Sequence, residues 1–176
     1  MVSNRTLGIA ACLLLALLLI RNEARMDRME AKLDDIIQTR DTVKYTTQDR
    51  DCLTKNIYYE AGVENTKGKY AVAHVTVNRL KTGRWGNTVC KVVYSKKQFS
   101  WTAQEKLPKP NAKLWAESQA VADNVLNGAR IRGLQKSLYY HAEYIRTPKW
   151  ADPRHEAGQI GQHIFYNRAR DSEVMI

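Results

Sequence analysis

Residues 7–20 read LGIAACLLLALLLI, a run without a charge or a strong polar group, preceded by Arg5 and ended by Arg21. Such a run marks the N-terminus as a secretory signal or a signal anchor. Its 14 residues would cover about 21 Å as a helix, against a hydrocarbon core of about 30 Å. A full span must therefore recruit residues 2–6 or thin the bilayer. Arg21-Asn22-Glu23 makes a poor small-residue cleavage site. The reading is an uncleaved anchor over residues 1–21. Ile9-Ala10-Ala11-Cys12 is rejected as a lipidation site because most of the apolar run follows Cys12.

Beyond the anchor, Met26, Met29, Leu33 and Ile36 recur at three-four spacing, two heptads of an a/d seam. Residues 22–48 read as a helical stalk and polar linker, with a weak dimer contact through residues 26–36. The rest, 49–176, reads as one globular domain. Charge divides the same way. Residues 1–50 hold 8 Lys and Arg against 7 Asp and Glu, while 51–176 hold 20 against 11. A basic field of that size concentrates polyanions: nucleic acid, anionic lipid or an anionic cell wall. The basic residues are scattered and no nucleic-acid-reading motif is present, so nucleic acid is not the expected partner. Of three cysteines, Cys12 lies in the apolar run, leaving Cys52 and Cys90 in the domain. An even pair suggests one disulfide if the domain is exported.

Within the domain, Leu53, Ile57 and Ala61 share one face of a helix over 50–61, stopped by Gly62. Asn65-Thr66 caps a second helix over 67–80, with Gly83 beyond its end. The β-branched Val72, Val75, Thr76 and Val77 leave a strand there as an alternative. Thr88 caps a short third helix carrying Val89, Val92 and Val93. Residues 102–111, with Pro108 and Pro110, form a loop, and 113–127 is a helix closed by Gly128. Two short aromatic strands follow, at 138–140 and 163–166, with a proline-containing loop over 147–158 between them. Helices first and a small β-hairpin last give an α+β, mainly helical domain preceded by an N-terminal anchor helix.

Glu60 is the most informative acid. It stands at a helix end inside Ile57-Tyr58-Tyr59-Glu60-Ala61. Apolar neighbours and the negative pole of a helix both disfavour its charged form. A carboxyl that keeps its proton near neutral pH suits protonation of a glycosidic oxygen. The competing reading is a helix-end glutamate standing in water. Gln98, Phe99, Trp101, Tyr140 and Trp150 supply the flat faces and amides that sugars require. Asn78 is polar within an apolar segment, so it must bond to something. Substrate contact is expected for these and for His163; the alternative is that the rings are core and Asn78 ties two segments together. His74, His141, His155 and His163 show no zinc-ligand spacing, and neither metal nor other cofactor is expected.

Several blocks in order resemble the SleB-type cell-wall hydrolases, a family of spore-cortex-lytic and phage lysis enzymes. They are Cys52-Leu53, Ile57-Tyr58-Tyr59-Glu60-Ala61, Gly68-Lys69, Ala71-Val72-Ala73-His74-Val75-Thr76-Val77-Asn78-Arg79, Thr88-Val89-Cys90-Lys91-Val92-Val93-Tyr94, Gln98-Phe99-Ser100-Trp101, Tyr139-Tyr140-His141, Pro148-Lys149-Trp150 and Ile160-Gly161-Gln162-His163-Ile164-Phe165-Tyr166. The resemblance implies a lysozyme-like fold, Glu60 as catalytic acid and Cys52–Cys90 as a disulfide. It also implies peptidoglycan glycan strands as substrate, cut between N-acetylmuramic acid and N-acetylglucosamine. A lytic transglycosylase path needs only Glu60. A hydrolytic path needs a partner, for which Glu64, Glu143 and Asp152 are candidates. One departure stands out: where the family commonly carries Arg after Glu-Ala, this chain has Gly62.

The expected setting is the inner membrane, with the domain facing the periplasm or cell wall. Arg21, Arg25 and Arg28 follow the apolar run and do not by themselves favour that orientation. Export rests on the cysteine pair and the family signature. The diluted hydrophobicity of Gly8, Ala10, Ala11 and Ala16 makes later release to the periplasm a second expectation, with Cys12 then free to exchange with Cys52 or Cys90. The alternatives are a catalytically inert peptidoglycan-binding or virion structural module, a zinc-dependent amidase, and a tethered nucleic-acid binder.

Overall fold

The computed structural model describes residues 15–26, 28 and 43–168. The chain divides into two compact units, residues 1–37 and 38–176. In the first, residues 15–26 are helical, and Leu15, Leu17, Leu18, Leu19 and Ile20 are all exposed. Among the described residues no helix is long and apolar enough to cross a membrane. Residues 1–14 of the expected anchor and Met29, Leu33 and Ile36 of the expected seam lie outside the described residues.

The second unit is mainly helical, with helices α1 (Thr47–Ala61), α2 (Thr66–Thr82), α3 (Val89–Val93) and α4 (Ala112–Leu126). They are followed by a three-stranded sheet of β1 (Tyr139–Ala142), β2 (Glu156–Ile160) and β3 (His163–Tyr166). Local chemistry sets each helix start. Thr46 and Asp49 form a reciprocal capping box on α1, while Asn65, Thr88 and Asn111 accept from the first turns of α2, α3 and α4. The linker thus ends earlier than residue 48, since Val43 N already donates to Leu126 O (3.3 Å) and Thr46 belongs to the cap.

The stretch carrying Val72, Val75, Thr76 and Val77 is helix, not strand. Every residue from 68 to 79 is buried, so α2 is enclosed on all sides. Full enclosure lets β-branched side chains pack despite their modest helix propensity. Gly83, at φ 69°, ends the helix in a left-handed cap. Helix α1 packs against α2, α3 and α4. The core between them includes Leu53, Ile57, Val72, Val75, Val92, Val125 and Leu126, all fully buried. Cys52 and Cys90 are bonded, and Cys90 N also donates to Asp49 Oδ1 (3.0 Å), so covalent and hydrogen bonds join α3 to α1.

The sheet corrects one expectation. The proline-containing stretch 147–158 is not simply a loop: Pro153–His155 is a 3-10 turn and β2 starts at Glu156. The order is β1-β3-β2, both pairs antiparallel. Strand β2 was concealed because it is an edge strand with exposed Glu156 and Gln159 and a register shift between Glu156 and Gly158. A bulge breaks the alternation that would announce a strand. Gly161, at φ 60°, makes the tight β2–β3 turn.

His74 is 1% exposed, and its Nδ1 faces Ile131 N at 3.4 Å. Burial, reinforced by the Arg130 charge, lowers its pKa to about 4. The unfolded chain then binds a proton near pH 6.5 that the folded chain refuses until about pH 4, so stability from this residue is lost as pH falls through that window. At ~1.4 kcal/mol per unit the loss is about 3 kcal/mol. Urea unfolding across that window should show it in the wild type, and His74→Gln should flatten the slope. Replacing both Cys52 and Cys90 by Ser should lower the unfolding free energy by about 3–4 kcal/mol in the same assay, the cost of reopening the loop between them.

Candidate active site

Glu60 occupies the last turn of α1 and is half-buried. Tyr140, from β1, donates its hydroxyl to Glu60 Oε2 at 2.9 Å across 80 residues of sequence. Burial holds the Glu60 carboxyl above its usual pKa, against the opposing effects of the Tyr140 hydrogen bond and the Arg79 charge. The Tyr140 hydroxyl is itself pushed well above its ordinary value, first by burial and then by Glu60. It therefore acts as a donor and not as a second acid.

Aromatic rings cluster both on the helical body and on the sheet, the sheet cluster on the face of β1 and β3 opposite Tyr140. On the helix side, Tyr59 stacks on Trp101 (5.0 Å), and Tyr58 meets Tyr59 (5.0 Å) and Trp115 (5.6 Å). On the sheet side, Tyr139 lies between Trp85 (5.9 Å) and Trp150 (5.8 Å), while Trp150 also meets Tyr166 at 5.5 Å. Tyr58, Tyr59, Trp85, Trp115, Tyr139 and Trp150 are half-buried. Arg79 is 5% exposed and inserts its guanidinium among Trp85, Phe99 and Tyr139 at 5.2–5.9 Å. Its Nε donates to Leu138 O (2.7 Å), whereas Nη1 is buried without a hydrogen-bond partner among the described residues.

The sequence-predicted site residues separate into three groups. Glu60, Tyr140 and His163 come together, with the His163 ring edge-on to Tyr140 at 5.0 Å. Trp150 stands in the sheet-side cluster, and Gln98 is half-buried with Nε2 near Lys96 O (3.4 Å). The others are built into the framework. Trp101 is 4% exposed and donates Nε1 to Asn56 Oδ1 (3.0 Å). Phe99 is buried beneath Arg79. Asn78 is buried and donates its amide to Leu134 O (2.8 Å) and Ser137 O (2.9 Å), tying α2 to the segment before β1.

The candidate second acids are each committed. Glu64 carries a side chain 6% exposed; it accepts from Gln162 N (2.9 Å) and lies 3.3 Å from His163 Nδ1. Asp152 is gripped by Arg154 (2.6 Å), and Glu143 is exposed and bonded to Gln159. Gly62 is helical, and a Cβ there would run into the Tyr58 carbonyl oxygen. An arginine at that position would therefore require the helix end to shift, and the cation acting on Glu60 comes from α2 as Arg79. Among the described residues no group of three His, Cys, Asp or Glu side chains is placed to hold a metal ion.

Sequence reasoning missed Arg79, Trp85, Tyr139, Tyr58 and Trp115. Arg79 carried a usable signal, as a permanent charge ending the apolar stretch of α2. The rings carried none, because only tertiary contact separates a wall from a core.

Residues 63–166 match the sequence pattern of the family described as Cell Wall Hydrolase. The chain belongs to the cell wall hydrolase family. Among its relatives, the spore cortex-lytic enzyme of Oceanobacillus iheyensis is 33% identical over 122 residues, covering 69% of this chain and 42% of the relative. The spore cortex-lytic enzyme of Bacillus cereus is 32% identical over 124 residues, covering 69% and 45%. This chain thus spans less than half the length of these relatives. The fold agrees with the catalytic domain of Bacillus cereus SleB (TM-score 0.55, 27% identity, 70% of this chain and 92% of that one). It agrees equally with the catalytic domain of the germination-specific lytic transglycosylase SleB from Bacillus anthracis (TM-score 0.56, 26% identity, 69% and 96%). The mainly helical body with a small three-stranded sheet is thus the fold of the SleB catalytic domains.

Because burial makes ionised Glu60 costlier in the folded chain than in the unfolded one, Glu60 opposes folding once pH rises through its raised pKa. Glu60→Gln should therefore unfold at higher urea than the wild type at neutral pH. The difference should vanish below about pH 4, where the carboxyl is protonated in both states.

Proposed function

We propose that this domain cleaves the glycan strand of peptidoglycan between N-acetylmuramic acid and N-acetylglucosamine, with Glu60 as its single acid and base, and that it works as a lytic transglycosylase. The observation that carries the reading is the desolvated Glu60 carboxyl, held through one oxygen by Tyr140. The protonated carboxyl gives its proton to the glycosidic oxygen, the C1–O bond breaks, and positive charge develops on the muramic ring. Tyr140 then holds a carboxylate instead of an acid. Its hydrogen bond strengthens as charge forms, which assists the step that creates the charge. The Glu60 carboxylate next accepts the proton of the ring's own 6-hydroxyl, whose oxygen bonds to C1. A 1,6-anhydro end results, no water is consumed, and the acid is regenerated.

Commitment of Glu64, Glu143 and Asp152 to other partners favours this path over hydrolysis, which requires a second group to activate water. The relative named a lytic transglycosylase points the same way. The net basic charge of residues 51–176 suits an anionic wall. The exposed aliphatic row Leu15–Ile20 supports a further part of the proposal, that residues 1–21 tether the domain to a membrane with the domain outside.

Mass spectrometry of muropeptides released from purified peptidoglycan tests the reaction. Anhydro-muramic ends are expected. Reducing ends would replace transglycosylation by hydrolysis, and cut stem peptides would replace both by amidase action. Glu60→Gln should abolish release, a loss of at least about 10³-fold for removal of the proton carrier.

A further inference from the structure

Glu64 begins just past the end of α1, where its backbone N donates to Ala61 O (3.0 Å). Its carboxylate is almost fully covered, an arrangement that proteins avoid unless partners compensate. Oε1 takes the Gln162 N–H (2.9 Å) and faces His163 Nδ1 (3.3 Å). That second approach is a close contact and not an aligned hydrogen bond, for Nδ1 has no hydrogen-bond partner among the described residues. Oε2 fits a seat made by two glycines. A Cβ on Gly68 would come 2.8 Å from it, and a Cβ on Gly161 would overlap it. The β2–β3 turn is therefore pinned to the end of the helix that carries Glu60.

The pinned turn bears directly on Tyr140. In the β1–β3 ladder Tyr140 pairs with Phe165 and Ala142 with His163, so His163 stands diagonal to Tyr140 on one face. The His163 ring meets Tyr140 edge-on at 5.0 Å, and Phe165 meets it at 5.5 Å. Tyr140 in turn reaches Glu60. From these contacts we infer that Glu64 and His163 are positioning residues, which together hold Tyr140 on the Glu60 carboxyl without touching substrate. This rests on the reaction proposed above. It also accounts for Gly161, where any side chain would collide with Glu64 as well as meet an unfavourable φ of 60°.

A double-mutant cycle tests the inference. His163→Leu and Glu64→Ala are each made alone and with Tyr140→Phe, and kcat and KM on purified peptidoglycan are measured for variants whose thermal melts show a folded domain. Each single change should lower kcat on the order of tenfold, through misplacement of the Tyr140 hydroxyl, with KM within about twofold. Glu64→Gln, which keeps an acceptor for Gln162 N, should retain most of the kcat that Glu64→Ala loses. Once Tyr140 is Phe, neither change should cost more than about a further twofold, since residues acting as a unit are not additive. Losses that multiply in the Tyr140→Phe background, or an unchanged kcat in the folded single variants, would overturn the positioning role. Should Glu64→Ala not fold, the His163→Leu cycle decides alone. Glu60→Gln, run alongside, keeps the two failures apart. Full activity there overturns the proposed reaction, while multiplicative losses with Glu60→Gln inactive overturn only the positioning pair.

Discussion

The hydrogen bond from Tyr140 to Glu60 joins the two halves of the domain at the point where chemistry is expected. Glu60 belongs to the helical body and Tyr140 to the sheet, so the bond exists only when the sheet has docked on the end of α1. It also balances two opposing requirements. The carboxyl must be poorly hydrated to hold its proton, yet a buried carboxyl without a partner would be costly in both protonation states. One tyrosine hydroxyl supplies that partner through a single oxygen.

Much of the remaining structure serves that docking. The sheet is small, and β2 is an irregular edge, so strand pairing alone would anchor it weakly. Fixed connections come from the helices: Asn78 and Arg79 of α2 both donate to carbonyls between Leu134 and Leu138, and Glu64 receives the β2–β3 turn. Each link fills the backbone hydrogen-bonding capacity of a segment that lacks regular structure, which is why polar side chains appear in an otherwise apolar interior. Asn56 plays the matching part on the helix side, accepting from Trp101 and donating to Thr76.

At Gly62, where the sequence resemblance implies Arg, the backbone sets a constraint of its own. The backbone there leaves no room for a Cβ beside the Tyr58 carbonyl, so a cation cannot be carried at that point of the chain without moving the helix end that presents Glu60. Positive charge reaches Glu60 instead from Arg79, enclosed by aromatic rings where water screens it poorly.

By itself the sequence determined the local grammar of this domain. The starts of α2 and α3 follow from Asn65 and Thr88, since a cap is a contact between a side chain and the backbone two or three residues on, and needs no other part of the fold. The helix-end position of Glu60 was readable for the same reason. Only the tertiary structure decided the rest: that Phe99, Trp101 and Asn78 are framework while Trp85, Tyr139 and Trp115 are only half-buried, that residues 156–160 pair as a strand, and that the Glu64 side chain is covered rather than available. Exposure, strand register and desolvation depend on which distant segments approach, and a contact spanning 80 residues leaves no periodicity or spacing in the chain from which it could have been read.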